Sequence, residues 1–276
     1  MIRIQFGIGH SLFLRISWFS DFYNSINHRT LRVVQLGATS IHLMNMEVNM
    51  KKMKLLILVL LVIVPVIESA EIGFSGDVTV VSTYVFRGLK QFDGAALQGT
   101  GDFSYGPVNV GFWVSSFNNA LSVETDPYIS VTLPTGDLET SVGAYLFSYD
   151  FFSKREYSIY EFFATAGYGA LSGSFYFTPK QDYKEGDETV QLVSDALYWV
   201  ELSAGTTFKG ADLSATIGYG TFSAFFTTGD AEKAAANLLL SAGKNLSENL
   251  SVSWNWGIAL DDYTDNIFFL RAGYGF

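Results

Sequence analysis

Apolar and polar side chains alternate along most of the chain from Ile72 to the C-terminus, and turn residues interrupt the alternation at intervals. Successive side chains of a β-strand point to opposite faces, so this period of two predicts strands with one apolar face. The last strand shows the pattern most clearly. Its apolar face ends on an aromatic residue and consists of Phe268, Leu270, Ala272, Tyr274 and Phe276. A soluble β-sandwich can end on a core strand, but a bare apolar terminal strand is typical of a bacterial outer-membrane barrel, whose last strand pairs with the first and inserts into lipid.

Twelve such strands are predicted. They lie at about 72–88, 95–105, 108–114, 123–133, 138–146, 157–168, 174–178, 192–203, 212–219, 234–244, 250–260 and 265–276. Short turns, such as Lys209 and Gly210, alternate with longer and more acidic connections. This sorting is typical of outer-membrane barrels, with short periplasmic turns and longer outer loops. The predicted fold is all-β, a transmembrane antiparallel up-and-down β-barrel of about 12 strands spanning residues 71–276.

Residues 50–70 have the features of a secretory signal peptide. A basic start at 51–54 precedes an unbroken apolar run of twelve residues at 55–66. The run is shorter than the about 20 residues that a membrane-spanning helix needs. Small residues before Glu71 fit cleavage after Ala70, so we expect export across the inner membrane with the signal removed.

Residues 1–49 precede this signal, although a signal peptide normally lies at the N-terminus. We predict that they are a wrongly assigned extension of the reading frame and that Met50 is the true start. Residues 46–50 can be encoded by DNA that contains GGAGG, a ribosome-binding sequence, shortly before the Met50 codon. A genuine extension is the alternative, and a GAA codon for Glu47 would remove the GGAGG.

Composition excludes several kinds of chemistry. The chain has no Cys, and its three His all precede residue 50, so residues 71–276 contain neither. Ser-His and Cys-His catalytic pairs and His-ligated metal sites are therefore excluded. We expect no enzyme activity, no metal and no cofactor. A carboxylate-dependent barrel enzyme stays open as an alternative, because Glu124 and Asp126 share a strand face at about 7 Å.

The charge balance bears on the interior of the barrel. Residues 71–276 contain 10 basic and 24 acidic side chains, a net charge of −14. If the apolar faces meet lipid, the acidic faces line the interior, where unpaired charge requires water. Such a lumen favours cations, and about twelve strands leave a narrow pore. The charged residues expected to line it are Asp77, Arg87, Asp102, Glu124, Asp126, Glu139, Glu161, Asp195, Glu201, Asp212 and Arg271.

Two ion pairs are expected among these residues. Arg271 and Asp77 each lie about six positions from an end of the segment 71–276, so they should meet where the last strand pairs with the first. Arg87, nearer the outer end, should meet Glu124, Asp126 or Glu161. Solvated charges in the lumen are the alternative for both arginines.

The segment 84–88, with the sequence YVFRG, resembles the signature of the TorF-like (Gcw_chp) family, proteobacterial proteins named as porins. The resemblance extends loosely over 71–276 and includes an acidic and aromatic segment at 124–128 and a Glu between aromatics at 160–162. Pro127 and the alanine-rich start of the tenth strand depart from the family pattern. The resemblance implies an outer-membrane β-barrel, in a family whose substrate is not established.

The expected function is passive diffusion of small cationic or neutral solutes through the bacterial outer membrane. Expected partners are outer-membrane lipid, the barrel assembly machinery and periplasmic chaperones during biogenesis, and small solutes. Nucleic acid is not expected, because no basic patch is present. One alternative is a plugged structural or adhesive barrel, with Trp113, Tyr145 and Trp199 filling the lumen. Another is a soluble periplasmic β-protein.

Overall fold

The computed structural model describes residues 71–276 except 118, 150–157 and 186–187, together with four short strands before residue 71. The chain divides into two compact units, Met1–Val62 and Ile63–Phe276. The first unit contains two antiparallel strand pairs, Ile2–Gln5 with Ser11–Leu14 and Thr30–Val33 with Met44–Glu47. The predicted signal peptide at 50–70 lies outside the described residues.

The second unit contains a closed barrel of twelve antiparallel strands. The strands are β1 (Ile72–Val81), β2 (Ala96–Tyr105), β3 (Val108–Phe117), β4 (Asn119–Leu133), β5 (Glu139–Phe147), β6 (Ile159–Tyr168), β7 (Leu171–Thr178), β8 (Leu197–Phe208), β9 (Ala211–Gly220), β10 (Ala235–Asn245), β11 (Leu250–Ala259) and β12 (Ile267–Gly275). Each strand pairs with its neighbours in sequence, and β12 pairs with β1 to close the barrel. The all-β, up-and-down barrel of 12 strands predicted from the sequence is confirmed.

At one end of the barrel the connections are short turns, and at the other end they are longer, except between β3 and β4, which residue 118 alone separates. We call these the short-turn end and the long-loop end. At the long-loop end, β1 stops at Val81, where a strand continuing to residue 88 was predicted. The chain then forms a small hairpin at residues 84–92, the loop hairpin, in which Tyr84–Phe86 pairs with Leu89–Phe92. Its turn residues Arg87 and Gly88 both have positive φ, at 50° and 79°, as the tightest hairpin turns require.

A second hairpin, Gln181–Glu185 with Glu188–Val193, precedes β8. It contains residues that were predicted as the start of β8, so this strand begins at Leu197 instead of residue 192. The prediction was wrong here because both hairpin strands also show the alternation of a barrel strand.

The connection from β9 to β10 was predicted as a loop but contains the helix α1 (Thr221–Thr228). Gly229, with φ of 73°, ends α1 in the left-handed conformation that commonly terminates helices. The alanine-rich start of β10 is a strand despite its helical propensity, because it pairs with β9. Among the residues that the structure describes, no helix is both long and apolar enough to cross a membrane.

The outer surface of the barrel is apolar. Large apolar side chains are exposed at alternate positions of most strands, and Phe74 in β1 and Phe268 in β12 are 74% and 61% exposed. Polar side chains at the intervening positions, among them Thr79, Ser115 and Asn255, are buried. This arrangement is the reverse of a soluble fold, which buries its apolar faces.

Candidate functional site

The candidate site lies in the barrel interior near the long-loop end, where the loop hairpin and α1 fold inward. The ring of Phe86 in the hairpin lies 5.8 Å, between centroids, from Phe147 at the end of β5 and 5.8 Å from Phe222 in α1. The hydroxyl of Ser223 donates a 2.7 Å hydrogen bond to the carbonyl oxygen of Arg87. Two connections far apart in sequence therefore pack together inside the barrel.

Arg87 is the central charge of this cluster. Its guanidinium donates two 2.7 Å hydrogen bonds to the two carboxylate oxygens of Glu161 on β6, and the side chains are 4% and 1% exposed. Thr178 donates a third hydrogen bond to Glu161, at 2.8 Å. The guanidinium carbon also lies 4.1 Å and 4.4 Å from the ring centroids of Tyr176 and Phe222. Fork-like pairing and stacking on aromatic faces both favour arginine over lysine here.

Glu124 and Asp126 project into the interior from β4, and both are buried. The hydroxyl of Tyr84 donates to Glu124 at 2.9 Å, and the hydroxyl of Tyr149 also bonds this carboxyl group. The backbone N–H of Ser148 donates to Asp126 at 3.2 Å. Burial, and next the charge of Glu124, raise the pKa of Tyr84 and of Tyr149. Both phenols therefore stay protonated and remain hydrogen-bond donors to the carboxyl group.

A cavity of about 440 Å³ lies between the loop hairpin, α1 and the adjoining ends of strands. The carboxyl-bearing Glu124 contributes to its wall. Aromatic side chains contribute to the other walls, among them Phe86, Phe147, Tyr149, Phe222, Phe226 and Tyr263. The site thus combines a cluster of aromatic side chains with a buried acidic group and a partly polar rim that includes Lys90 and Asp265.

Further toward the short-turn end the interior is more polar. The hydroxyl of Tyr128 donates to Asp102 at 2.5 Å, and the side-chain amide of Asn109 donates to the same oxygen at 2.7 Å. Asp77 accepts a 2.8 Å hydrogen bond from Thr79. Neutral side chains thus donate to both acidic groups, Thr79 from the same strand as Asp77, and Asn109 and Tyr128 from β3 and β4 to Asp102 on β2.

The predicted contact across the closing strands is present. Arg271 Nη2 lies 4.0 Å from Asp77 Oδ2, although Arg271 is directly opposite Val81 in the β12–β1 register. The long arginine side chain therefore reaches diagonally. The distance is at the upper limit for an ion pair, and the two side chains are 54% and 32% exposed, so the pair contributes little stability.

The remaining acidic residues are distributed along the barrel. Glu139 and Asp212 are exposed at the short-turn end. Glu201, on β8, accepts a 2.9 Å hydrogen bond from the indole N–H of Trp199. Asp195 lies exposed in the bend before β8, outside the barrel strands. Its placement follows from the hairpin that replaces the predicted start of β8.

The C-terminal strand has the predicted apolar outer face. Phe268, Leu270, Tyr274 and Phe276 are all exposed on it. Phe276 and Gly76 exchange two backbone hydrogen bonds, of 2.9 Å and 3.0 Å. The last residue of the chain thereby completes the pairing that closes the barrel.

The large side chains predicted to fill a plugged lumen lie within aromatic clusters. Trp199 is completely buried. The ring of Tyr145 lies 4.7 Å from that of Phe163, and the ring of Trp113 lies 5.4 Å from that of Tyr84. These clusters occupy part of the interior near the long-loop end.

The sequence did not predict the contribution of α1. Phe222 and Ser223 are buried at the site, although their segment was predicted as a loop. The available signal was the cluster of three Phe residues in six positions at 221–226. So many large apolar side chains are unusual in a solvated loop.

No protein-family model and no curated protein matches the chain. Its fold is similar to those of solved outer-membrane proteins. The COG4313 outer membrane channel from Pseudomonas putida F1 is 12% identical, with 76% of this chain and 97% of that chain covered and a TM-score of 0.44. OpdK from Pseudomonas aeruginosa with vanillate is 11% identical, with coverages of 76% and 66% and a TM-score of 0.37. OmpF of Salmonella typhi in complex with daunomycin is 9% identical, with coverages of 75% and 98% and a TM-score of 0.36. The likeness concerns barrel architecture alone.

Proposed function

We propose that the protein is an outer-membrane channel through which small cationic or neutral solutes diffuse passively. The observation that carries this proposal is the closed barrel with an apolar outer face and polar side chains at the inner positions; we infer that the inner face is acidic. In a closed barrel the backbone N–H and C=O groups of every strand are hydrogen-bonded to a neighbouring strand. A β-structure needs this in order to span a lipid bilayer. An acidic inner face needs water or counterions, which a channel provides.

The bacterial outer membrane is the proposed location. The apolar outer face, including the exposed Phe276 that follows β12, and the predicted signal peptide at 50–70 support it. The resemblance of residues 84–88 to the TorF-like family points the same way. In this location the short-turn end is periplasmic, the long-loop end faces outward, and assembly uses periplasmic chaperones and the barrel assembly machinery.

The charges along the interior favour cations. Glu161 offsets the charge of Arg87, and Asp77 lies near Arg271, which leaves an excess of acidic groups. The charged side chains proposed to line the channel are Asp77, Arg87, Asp102, Glu124, Asp126, Glu161, Glu201 and Arg271, with Asp195 at the long-loop end. We place the narrowest section at Arg87 and Glu161, where the loop hairpin and α1 pack inward.

Single-channel conductance in a planar bilayer under a salt gradient tests the proposal. We expect discrete steps with a cation-selective reversal potential. Replacing Glu124→Gln together with Asp126→Asn should shift this potential toward zero, because it removes two acidic groups from the interior. Asp137→Asn is the matched control, since Asp137 is exposed in a short turn, and it should leave selectivity unchanged. Anion-selective steps would contradict the acidic lumen.

A plugged structural or adhesive barrel is the second candidate. The inward packing of Trp199 and the aromatic contacts of Arg87 favour it, because both fill space at the long-loop end. A barrel that folds, as judged by heat-modifiable mobility in gel electrophoresis, but gives no conductance steps would support this candidate over the channel.

A further inference from the structure

We propose that the cavity at the long-loop end binds an organic cation with an apolar body, such as an aromatic amine or a quaternary ammonium ion. The inference rests on the proposed function for its biological setting, since it makes the cavity a capture site at the outer entrance of the channel. The binding chemistry itself follows from the walls of the cavity.

The cavity has the dimensions of a small-molecule site. Its volume of about 440 Å³ lies in the range of about 300–1,000 Å³ in which such ligands bind. Three connections contribute to its walls, because residues of the loop hairpin, of α1 and of the segment 263–265 all line it. The ligand would contact segments that only the folded barrel brings together.

The aromatic side chains form a continuous wall. The rings of Phe86, Phe147 and Phe222 lie 5.8 to 6.5 Å apart, and Phe226 lies 4.7 Å from Phe222. The faces of such rings attract cations, and quaternary ammonium groups are recognised by cages of this type. Phe86 and Phe222 already stack against the guanidinium of Arg87, at 4.7 and 4.4 Å. Two rings of this wall thus already interact with a cationic group of the protein.

Glu124 supplies an acidic group that can pair with a cationic ligand. Its side chain lines the cavity and is 5% exposed. Its hydrogen bonds come from the neutral hydroxyls of Tyr84 and Tyr149, and none of the ion pairs between described residues includes it. Carboxylates in apolar surroundings are costly unless a cation accompanies them. A bound cation would offset this cost.

The other charged groups of the lining favour cations over anions. Lys90 is the basic residue among the described lining side chains, and it pairs with Asp93 at 3.1 Å. Asp265 adds a second acidic group to the wall. Arg87 is hydrogen-bonded to Glu161 and does not line the cavity. An anionic ligand would therefore meet a surplus of negative charge.

Isothermal titration calorimetry on the full chain, purified in a non-ionic detergent from the outer membrane of a Gram-negative host, tests the site. The probe is benzyltrimethylammonium, compared with the neutral benzyl alcohol and the anionic benzoate. We expect the cation to bind at least about tenfold more tightly than either, because only the cation gains both ring and carboxylate contacts.

Three variants assign this binding to the cavity. Glu124→Gln should weaken binding of the cation about tenfold, and Phe226→Leu, at a partly exposed wall position, should weaken it about threefold. Glu139→Gln, at the short-turn end, removes the same charge away from the cavity and should leave affinity unchanged. Heat-modifiable mobility identifies folded variants, and the Phe226→Leu result stands even if Glu124→Gln does not fold.

The outcomes separate this inference from the channel proposal. Equal binding of benzoate, or unchanged affinity in the folded Glu124→Gln variant, overturns the cation site. Conductance steps without binding of the cation also overturn it and leave the channel intact. Binding that depends on Glu124, in a barrel without conductance steps, supports the site and contradicts diffusion through the barrel.

Discussion

Arg87 and Glu161 are 74 positions apart in the sequence and are joined by two hydrogen bonds of 2.7 Å in the barrel interior. The pair fixes the loop hairpin, which carries Arg87, against strand β6, which carries Glu161. Because both side chains are buried, each compensates a charge that would otherwise be costly in this position.

Removing one member of this pair should destabilise the protein strongly. Glu161→Gln leaves the guanidinium of Arg87 buried without a counter-charge, and we expect the free energy of unfolding to fall by about 3–5 kcal/mol. Urea unfolding of the barrel in detergent, followed by tryptophan fluorescence, measures the change. Glu139→Gln, which removes an exposed carboxylate, should cost less than about 1 kcal/mol.

Replacing both members should recover part of this loss. The double variant Arg87→Met with Glu161→Leu removes both charges together, so no unpaired charge stays buried. We expect it to be more stable than Glu161→Gln alone. A double variant as unstable as the single one would show that the pair's hydrogen-bonding geometry, and not charge compensation, is what stabilises the hairpin.

The pair across the closing strands should behave differently. Arg271 and Asp77 are separated by 4.0 Å and both are partly exposed. We expect Arg271→Gln to change the free energy of unfolding by less than about 1 kcal/mol, because solvent screens exposed pairs. The same urea experiment measures it. A loss as large as that of Glu161→Gln would contradict the weak contact.

We expect the barrel to tolerate alanine at one interior glycine, Gly167, but not at another, Gly143. A Cβ atom at Gly143 would meet the carbonyl oxygen of Ile129 and the ring of Phe163 more closely than real Cβ contacts allow, whereas at Gly167 its nearest neighbour would be 3.8 Å away. We expect Gly143→Ala to cost about 1–3 kcal/mol through overpacking and Gly167→Ala to be tolerated. Thermal or urea unfolding of the two variants compares them directly, and equal stabilities would contradict the close packing at Gly143.

The buried phenol of Tyr84 should make stability decrease at high pH. Burial and the neighbouring Glu124 raise the pKa of Tyr84 in the folded protein, while in the unfolded chain it stays near about 10. The protonated Tyr84 therefore makes its full contribution to the free energy of unfolding below about pH 10. This contribution is lost as the pH rises toward the pKa of Tyr84 in the folded protein, because in that interval only the unfolded chain releases the phenol proton.

Tyr84→Phe has no such proton, so its stability should fall less steeply between about pH 9 and 11 than that of the wild type. Free energies of unfolding at several pH values in this range provide the comparison. Tyr168→Phe is the control, since Tyr168 is exposed, and it should keep the wild-type slope. Identical slopes for all three proteins would contradict a protonated Tyr84 in the folded state.

The barrel could be predicted from sequence because its pattern is local. Alternation along each strand determines which side chains share a face, and the C-terminal residues Phe268 and Phe276 therefore stand on the outer face as expected. The same local pattern gave the wrong start for β8, because apolar and polar side chains also alternate in the hairpin that precedes it. Asp195 was assigned to the interior for that reason.

The interior at the long-loop end could be predicted only in part. The sequence predicted that Arg87 pairs with one of three carboxylates. That the partner is Glu161 depends on the turn at Arg87 and Gly88, which directs the hairpin inward. The packing of Phe222 in α1 against Phe86 depends on a contact between connections more than one hundred positions apart. Such contacts leave no periodic signal in the sequence.

The contacts of Arg87 also constrain how the barrel can assemble. Its partners Glu161, Tyr176 and Phe222 all lie in later parts of the chain. Until those segments are in place, the hairpin has nowhere to bury its guanidinium, and the charge must stay hydrated. The loop hairpin can therefore take its final position in the barrel only together with β6, β7 and α1, which supply these partners.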